Sequence, residues 1–133
     1  IAMTPDEQVV FVEQYRHGTR SVTLEIPGGM VDRGETMVDA AIRELREETG
    51  YTGTHARLIG TVEPNPAIQS NRCGTVLIEG AQLTHPQALD PNEEIDVSTH
   101  PFESLGQLVQ AGRITHSLVV AAFHHLTLLQ AGS

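Results

Sequence analysis

The amino-acid sequence predicts an α/β layered fold, and three observations support this fold class. Short segments rich in β-branched and aromatic residues alternate with segments whose apolar residues recur at helical spacing. The 133 residues suffice for one domain with a two- or three-layer core and are too few for two. No internal repeat, linker or low-complexity tract interrupts the chain. We therefore expect residues 1–133 to form a single domain in which strands and helices are interleaved.

The N-terminal part of the chain is predicted to form two strands followed by a loop. Residues 9–15 are rich in valine and aromatic residues, and residues 22–26 alternate apolar and polar side chains. A polar turn around Gly18 joins them. Pro27, Gly28 and Gly29 end the second strand, because proline lacks a donor and glycine adopts unusual backbone angles. The following loop can therefore approach another group closely.

A helix is predicted to begin near Thr36 and to end at Gly50. Thr36 followed by Asp39 forms a weaker, aspartate-containing version of the capping box, and glycine is the usual C-terminal stop. Four apolar residues recur at helical spacing and predict the buried stripe: Val38, Ala41, Ile42 and Leu45. The glutamates of this helix are expected to lie off that stripe.

The remaining elements follow from the same patterns. Strands are predicted at residues 56–62, 73–78 and 95–98, and the second of these is expected to be buried on both faces at its end. Loops are predicted at residues 63–71, which contain two prolines, and at residues 84–94. Helices are predicted at residues 102–111, ended by Gly112, and at residues 116–129, with Thr115 as the N-cap.

Composition and charge exclude several classes of protein. The formal net charge of −9 disfavours a broad nucleic-acid-binding surface, although clustered carboxylates that hold a divalent cation can still attract a small phosphorylated ligand. The sequence has no run of about 18 apolar residues and no basic-then-apolar leader, so we expect a cytoplasmic protein that does not bind membranes. The single cysteine, Cys73, excludes an internal disulfide framework and a multi-cysteine zinc site.

Three carboxylates share one face of the helix at residues 36–50. Successive helical residues are about 100° apart, so Glu44, Glu47 and Glu48 fall within an arc of about 100°. One interpretation is a solvated face in which Arg43 pairs with Glu47. The other is a cation site, because like charges at i and i+4 cost a few tenths of a kcal/mol unless a cation lies between them.

The segment from Gly29 to Tyr51 combines a loop glycine with the charged residues of the helix at a defined spacing: Gly29, Glu35, Arg43, Glu44, Leu45, Glu47, Glu48, Gly50 and Tyr51. At each of these positions the segment resembles the signature of the Nudix hydrolases. This resemblance implies an α/β/α sandwich around a mixed sheet. It also implies hydrolysis of the diphosphate in a nucleoside diphosphate linked to another group.

The resemblance further implies a divalent-cation site, with Mg²⁺ as the usual ion and Mn²⁺ as a substitute. Its expected ligands are the carboxylates of Glu44, Glu47 and Glu48 and the backbone carbonyl of Gly28. Magnesium prefers hard oxygen ligands of this kind and keeps waters that bridge to phosphates. Arg43 resembles the arginine that orients one of the glutamates, and Glu35 is expected to tie the loop to the helix.

Three further segments resemble the branch of this family that cleaves ADP-ribose and other nucleoside diphosphate sugars. They are the run Gln14, Tyr15 and Arg16, the run from Glu25 to Gly29, and the prolines Pro64 and Pro66. Arg16, Glu25, Arg72 and His116 are the candidate substrate-binding residues. For each of them an ordinary surface or structural role is the alternative, and for Arg16 the functional role would be a charge-assisted hydrogen bond to substrate phosphate.

The general base is predicted on the late loop, where related nucleotide-sugar enzymes commonly carry a glutamate. Glu93 is the nearest candidate and Glu94 the next, although proline stands at the position where some relatives have the acting glutamate. Glu47 or Glu48 could activate water instead.

Two other functions stay open at the level of sequence. One is removal of diphosphate from non-standard nucleoside triphosphates, and the other is nucleotide binding without catalysis. The presence of all three signature glutamates argues against the second. A homodimer is an expectation from the family resemblance alone.

Overall fold

The structure, a computed structural model, describes residues 1–132. In chain order its elements are β1 (Gln8–Arg16), β2 (Ser21–Glu25), α1 (Met37–Thr49), β3 (Tyr51–Thr52), β4 (His55–Val62), β5 (Cys73–Glu79), β6 (Gln82–Leu83), β7 (Asp96–Pro101), a 3₁₀ turn (Phe102–Ser104), α2 (Leu105–Gln110) and α3 (Ser117–Ala131). No helix within residues 1–132 has the length and apolar character needed to cross a bilayer.

The strands form antiparallel groups that the first residues of the chain join together. One group has the order β2-β1-β7, and β4 pairs with β5, while β3 pairs with β6. Ala2 forms a parallel bridge to Ile78 of β5, and Met3 forms an antiparallel bridge to Val9 of β1. The chain start therefore lies between β1 and β5 and links their groups into a mixed arrangement.

Two apolar clusters cover the opposite faces of β1. Phe11 packs on one face with Phe123 and Leu126 of α3, and Val10 packs on the other face with Leu45 of α1. Neighbouring residues of a strand point to opposite faces, so α1 and α3 lie on opposite sides of the sheet. This arrangement confirms the predicted α/β/α sandwich.

The ends of α1 lie where the sequence predicts them. The Thr36 hydroxyl accepts a hydrogen bond from the Asp39 backbone N–H at 3.1 Å. Gly50 has φ +78°, and its N–H donates to the Arg46 carbonyl. A Cβ at Gly50 would also overlap the His85 carbonyl oxygen, so both its conformation and its packing require glycine.

The predicted buried face of α1 is wrong in two respects. Ile42 is 43% exposed, whereas Glu48, expected off the stripe, is only 4% exposed. The physical reason is the loop between β6 and β7, which covers the C-terminal end of α1: the Gln87 side-chain amide donates to the Glu48 carbonyl at 2.7 Å, and the Ala88 N–H donates to the Glu47 carbonyl at 2.8 Å.

Four other elements differ from the prediction. His116, and not Thr115, is the N-cap of α3, because its ring Nδ1 accepts the Leu118 N–H at 3.1 Å. The predicted helix at 102–111 begins as a 3₁₀ turn before α2. Strands β3 and β6 were not predicted, since two-residue strands are too short to show a periodicity.

Candidate active site

A cleft of about 750 Å³ opens beside the loop that joins β2 to α1. Its other walls come from the start of β5 and the start of α3. This volume lies within the usual range for small-molecule sites. The cleft brings together six of the residues singled out from sequence: Arg16, Glu25, Gly28, Glu44, Arg72 and His116.

Arg43 fastens this loop to α1. Its Nε and Nη2 donate to the two carboxylate oxygens of Glu35 at 2.7 and 3.0 Å, and Nη2 also donates to the Met30 carbonyl at 3.1 Å. The Asp32 N–H donates to Glu35 at 2.9 Å. A planar guanidinium can make these contacts together because its donors form a rigid fork. Glu35 therefore ties the loop to the helix through Arg43.

The other side of the Arg43 guanidinium contacts two of the signature glutamates. Its Nη1 lies 3.0 Å from Glu44 Oε1 and 3.3 Å from Glu47 Oε2. One oxygen of each carboxylate is thus held by Arg43. Glu44 lines the cleft, whereas Glu47 does not.

Glu48 is a buried carboxyl group beside the same loop. Its Oε1 accepts a hydrogen bond from the Gly28 N–H at 3.0 Å. The pKa of Glu48 is raised to about 8, chiefly by burial; the Gly28 hydrogen bond opposes this shift, and the negative charges of Glu44 and Glu93 add to it. The structure therefore places a carboxyl group where its charge is costly unless a cation compensates it.

Gly29 allows the loop to lie directly against Glu44. A Cβ at this position would overlap the Glu44 carboxylate. Glycine at this position therefore lets the Glu44 carboxylate lie against the backbone, whereas a larger residue would displace it, as expected for a loop that begins with two glycines.

The chemistry of these donors fits a divalent cation. Glu44 interacts electrostatically with Glu48, whose carboxyl group accepts the Gly28 N–H, so two carboxyl groups lie close together next to this backbone. Carboxylate oxygens are the hard ligands that Mg²⁺ prefers, and a cation would remove the repulsion between them. Within residues 1–132 no three His, Cys, Asp or Glu side chains already converge as a metal-ligand group, because Glu47 is turned to Arg43.

The raised pKa of Glu48 predicts how metal-free protein responds to pH. Because the folded state keeps the Glu48 proton above the ordinary pKa of 4.5, the stability this proton provides is fully present below pH 4.5 and is lost as pH rises through about 8. Melting temperatures measured in EDTA should fall over this range more steeply for the wild type than for Glu48→Gln. Equal slopes for the two proteins would contradict the prediction. Mg²⁺ added at pH 8 should raise the melting temperature of the wild type alone.

A second polar group, formed by Arg16 and Glu25, lines the same cleft. Arg16 donates two hydrogen bonds to Glu25, both at 2.8 Å, and the Thr23 hydroxyl donates to the same carboxylate. Although burial alone would raise the pKa of Glu25, these hydrogen bonds lower it overall. His116 lies nearby, with its Nε2 4.0 Å from Glu25 Oε1. Glu25 is buried, and its carboxylate already accepts hydrogen bonds from Arg16 and Thr23. Its direct effect is therefore to orient the half-exposed Arg16.

Glu93 lies outside the cleft lining, on the exposed loop between β6 and β7. Its Oε1 accepts a hydrogen bond from the Asp90 N–H at 2.9 Å. Gln87 fastens the loop by donating to the carbonyls of Glu48 and Ile95 at 2.7 and 3.0 Å. Sequence reasoning missed Gln87, because a single glutamine in a polar loop carries no local signal.

Comparisons with known proteins agree with this geometry. A methanol dehydrogenase activator from Bacillus methanolicus is 30% identical over 132 residues, which are 98% of this chain and 71% of that protein. An ADP-ribose pyrophosphatase from Bacillus subtilis is 28% identical with the same coverage. A crystal structure of an ADP compounds hydrolase has a TM-score of 0.88 at 21% identity, covers 99% of this chain and 70% of that chain, and shows the same fold.

The family model of the NUDIX domain matches residues 1–123, which include the loop, the glutamates of α1 and the polar residues of the cleft. On this match and on the spacing of the signature residues, the chain belongs to the Nudix family.

Proposed function

We propose that this chain is a divalent-cation-dependent hydrolase that cleaves the diphosphate linkage of ADP-ribose or a related nucleoside diphosphate sugar. One observation carries the proposal: Gly28, Glu44 and Arg16 line one cleft, and the buried carboxyl group of Glu48 lies directly behind this lining, hydrogen-bonded to the Gly28 N–H and close to Glu44. The names of the relatives from Bacillus subtilis and of the ADP compounds hydrolase support the choice of substrate. Residues 1–133 would act as one domain.

In this proposal Glu44, Glu47 and Glu48 hold the cation, together with the Gly28 backbone. When bound, Mg²⁺ neutralises diphosphate oxygens and lowers the pKa of a coordinated water. Arg43 keeps Glu44 and Glu47 oriented on one side of α1, and the buried position of Glu48 excludes water from its carboxylate. Mn²⁺ would substitute, because the ligands are of the same hard type.

Arg16 is the proposed phosphate contact in the cleft. Its ion pair with Glu25 fixes the guanidinium, while 46% of the Arg16 side chain stays exposed for hydrogen bonds to substrate oxygens. His116 lines the same cleft through its position at the start of α3. Orientation of this kind lowers the entropy lost when the substrate binds.

Glu93 is the proposed proton acceptor for the attacking water, with Glu48 as the alternative. The charge of Glu93 acts on Glu48, which indicates that the two carboxyl groups are close. Its loop is fastened to the end of α1 by Gln87, so the distance between Glu93 and α1 is constrained. A cytoplasmic location and a homodimer stay predictions from sequence.

The substrate assignment is tested by a panel of ADP-ribose, ADP-glucose and nucleoside triphosphates in Mg²⁺ or Mn²⁺. We expect kcat/KM for ADP-ribose to exceed that for the triphosphates at least about tenfold, which corresponds to about 1.4 kcal/mol of transition-state binding. Chromatography should show AMP and ribose 5-phosphate, and EDTA should abolish the reaction. Faster cleavage of triphosphates would overturn the substrate assignment. Binding without hydrolysis of any compound would overturn the proposed activity.

A further inference from the structure

Arg72 is the arginine of the cleft that has no partner of its own. Arg16 and Arg72 both line the cleft, but Arg16 is held by Glu25. Within residues 1–132 no carboxylate forms an ion pair with Arg72 and no side-chain hydrogen bond involves it. An exposed guanidinium without a partner, in a chain of net charge −9, is available to a ligand.

Arg72 also belongs to a second, smaller depression that adjoins the cleft. This depression has a volume of about 450 Å³ and is lined by Thr61, Val62, Glu63 and Arg72. The strand register explains the arrangement, because Val62 pairs with Cys73 at the last pair between β4 and β5. Glu63 follows Val62 at the end of β4, and Arg72 precedes Cys73 at the start of β5. The depression therefore continues the cleft past Arg72.

The lining of this depression favours a neutral group that bears several hydroxyls. Hydroxyl groups can accept from Arg72, donate to Glu63 and do both with Thr61. The carboxylate of Glu63 disfavours a further phosphate by repulsion. A nucleobase is disfavoured as well, because the lining has one apolar side chain, Val62, and no aromatic ring for stacking.

We infer that this depression is the subsite for the sugar on the far side of the scissile diphosphate, with Arg72 donating to its hydroxyl oxygens and Glu63 accepting from its hydroxyl groups. The inference rests on the proposed function and makes it more specific. It assigns the preference for nucleotide sugars over triphosphates to two residues outside the Nudix signature, since a triphosphate has no group that reaches them.

The test compares two substrates that share the diphosphate linkage and differ in the second moiety: ADP-ribose and the β-methyl ester of ADP. Arg72→Gln and Glu63→Gln are each expected to raise KM for ADP-ribose about tenfold, as expected when hydrogen bonds to charged groups are lost, with kcat within about twofold. Their KM for the methyl ester should stay at the wild-type value. Arg57→Gln and Glu79→Gln are matched controls, because these residues form an exposed 3.6 Å ion pair on the same hairpin and line neither cavity.

Two other kinetic outcomes overturn the subsite. Equal losses on both substrates in Arg72→Gln would place Arg72 on the diphosphate, and unchanged KM values for ADP-ribose would remove both residues from binding. If the wild type hydrolyses neither compound, the proposed function fails, and calorimetric titration with the same two compounds decides the subsite separately. If the wild type binds ADP-ribose more tightly than the methyl ester and Arg72→Gln abolishes this difference, the subsite is supported. Equal affinities of the wild type for the two compounds would contradict the subsite.

Discussion

The Glu48→Gln variant is expected to lose Mg²⁺-dependent hydrolysis of ADP-ribose by about 10³-fold or more, because a metal ligand contributes several kcal/mol of transition-state charge stabilisation. The variant should stay folded. Glutamine has nearly the same shape as glutamate, and its side-chain oxygen can still accept the Gly28 N–H that Glu48 accepts at 3.0 Å. It also removes a buried group whose ionisation is unfavourable in metal-free protein. The measurements are kcat/KM at saturating Mg²⁺, circular dichroism and melting temperature.

A matched control is Glu103→Gln, which makes the same chemical change at an exposed residue of the 3₁₀ turn. This variant should keep the activity and the melting temperature of the wild type. An unchanged rate in Glu48→Gln would remove Glu48 from the mechanism, and a loss of activity that accompanies unfolding would show that the residue acts through the fold.

The Arg43→Lys variant is expected to lose about 10²-fold in kcat, which is the scale of rate lost when catalytic groups are misplaced by about 1 Å. Lysine keeps the positive charge but has one ammonium in place of a fork. It cannot hold both oxygens of Glu35 and also contact Glu44 and Glu47. The loop before α1 should loosen, so the melting temperature should fall as well.

Arg46→Lys is the control for this prediction, because Arg46 is an exposed arginine on the same helix. It should leave kcat and melting temperature unchanged. If Arg43→Lys keeps its kcat within about threefold of the wild type, charge alone suffices at this position and the geometry of the fork is not needed.

Helix α1 illustrates what could be predicted from sequence. Its N-cap at Thr36 and its C-terminal glycine at Gly50 lie where the pattern placed them, because each cap is a hydrogen bond within one turn of the helix. The pairing of Arg43 with Glu47 also follows from helical spacing. The same spacing could not show that Arg43 holds Glu35 and the Met30 carbonyl, which lies 13 residues earlier in the chain.

Three polar residues of the cleft illustrate what could not be predicted. Arg16, Glu25 and Arg72 were all candidates in the sequence, with Arg16 and Glu25 ranked ahead of Arg72 and a surface role as the alternative for each. In the structure Arg16 and Glu25 form a bidentate pair because antiparallel β1 and β2 lie side by side, while Arg72, at the junction of two cavities, has no ion-pair partner within residues 1–132. The sequence could not distinguish these states, since ion pairs across strands depend on the register.

The sequence by itself determined the helix that carries Glu44, Glu47 and Glu48, and through the signature it determined the family. These features depend on caps and spacings within a few turns of one helix. Only the tertiary structure decided that Glu48 is the buried carboxyl group of the three and that Arg72 lines the cleft without an ion-pair partner within residues 1–132. The groups that decide this are distant in the chain: Gly28 contacts Glu48 across 20 residues and Gln87 across 39. Such contacts form only when the loops pack against α1, and packing of this kind has no local sequence pattern.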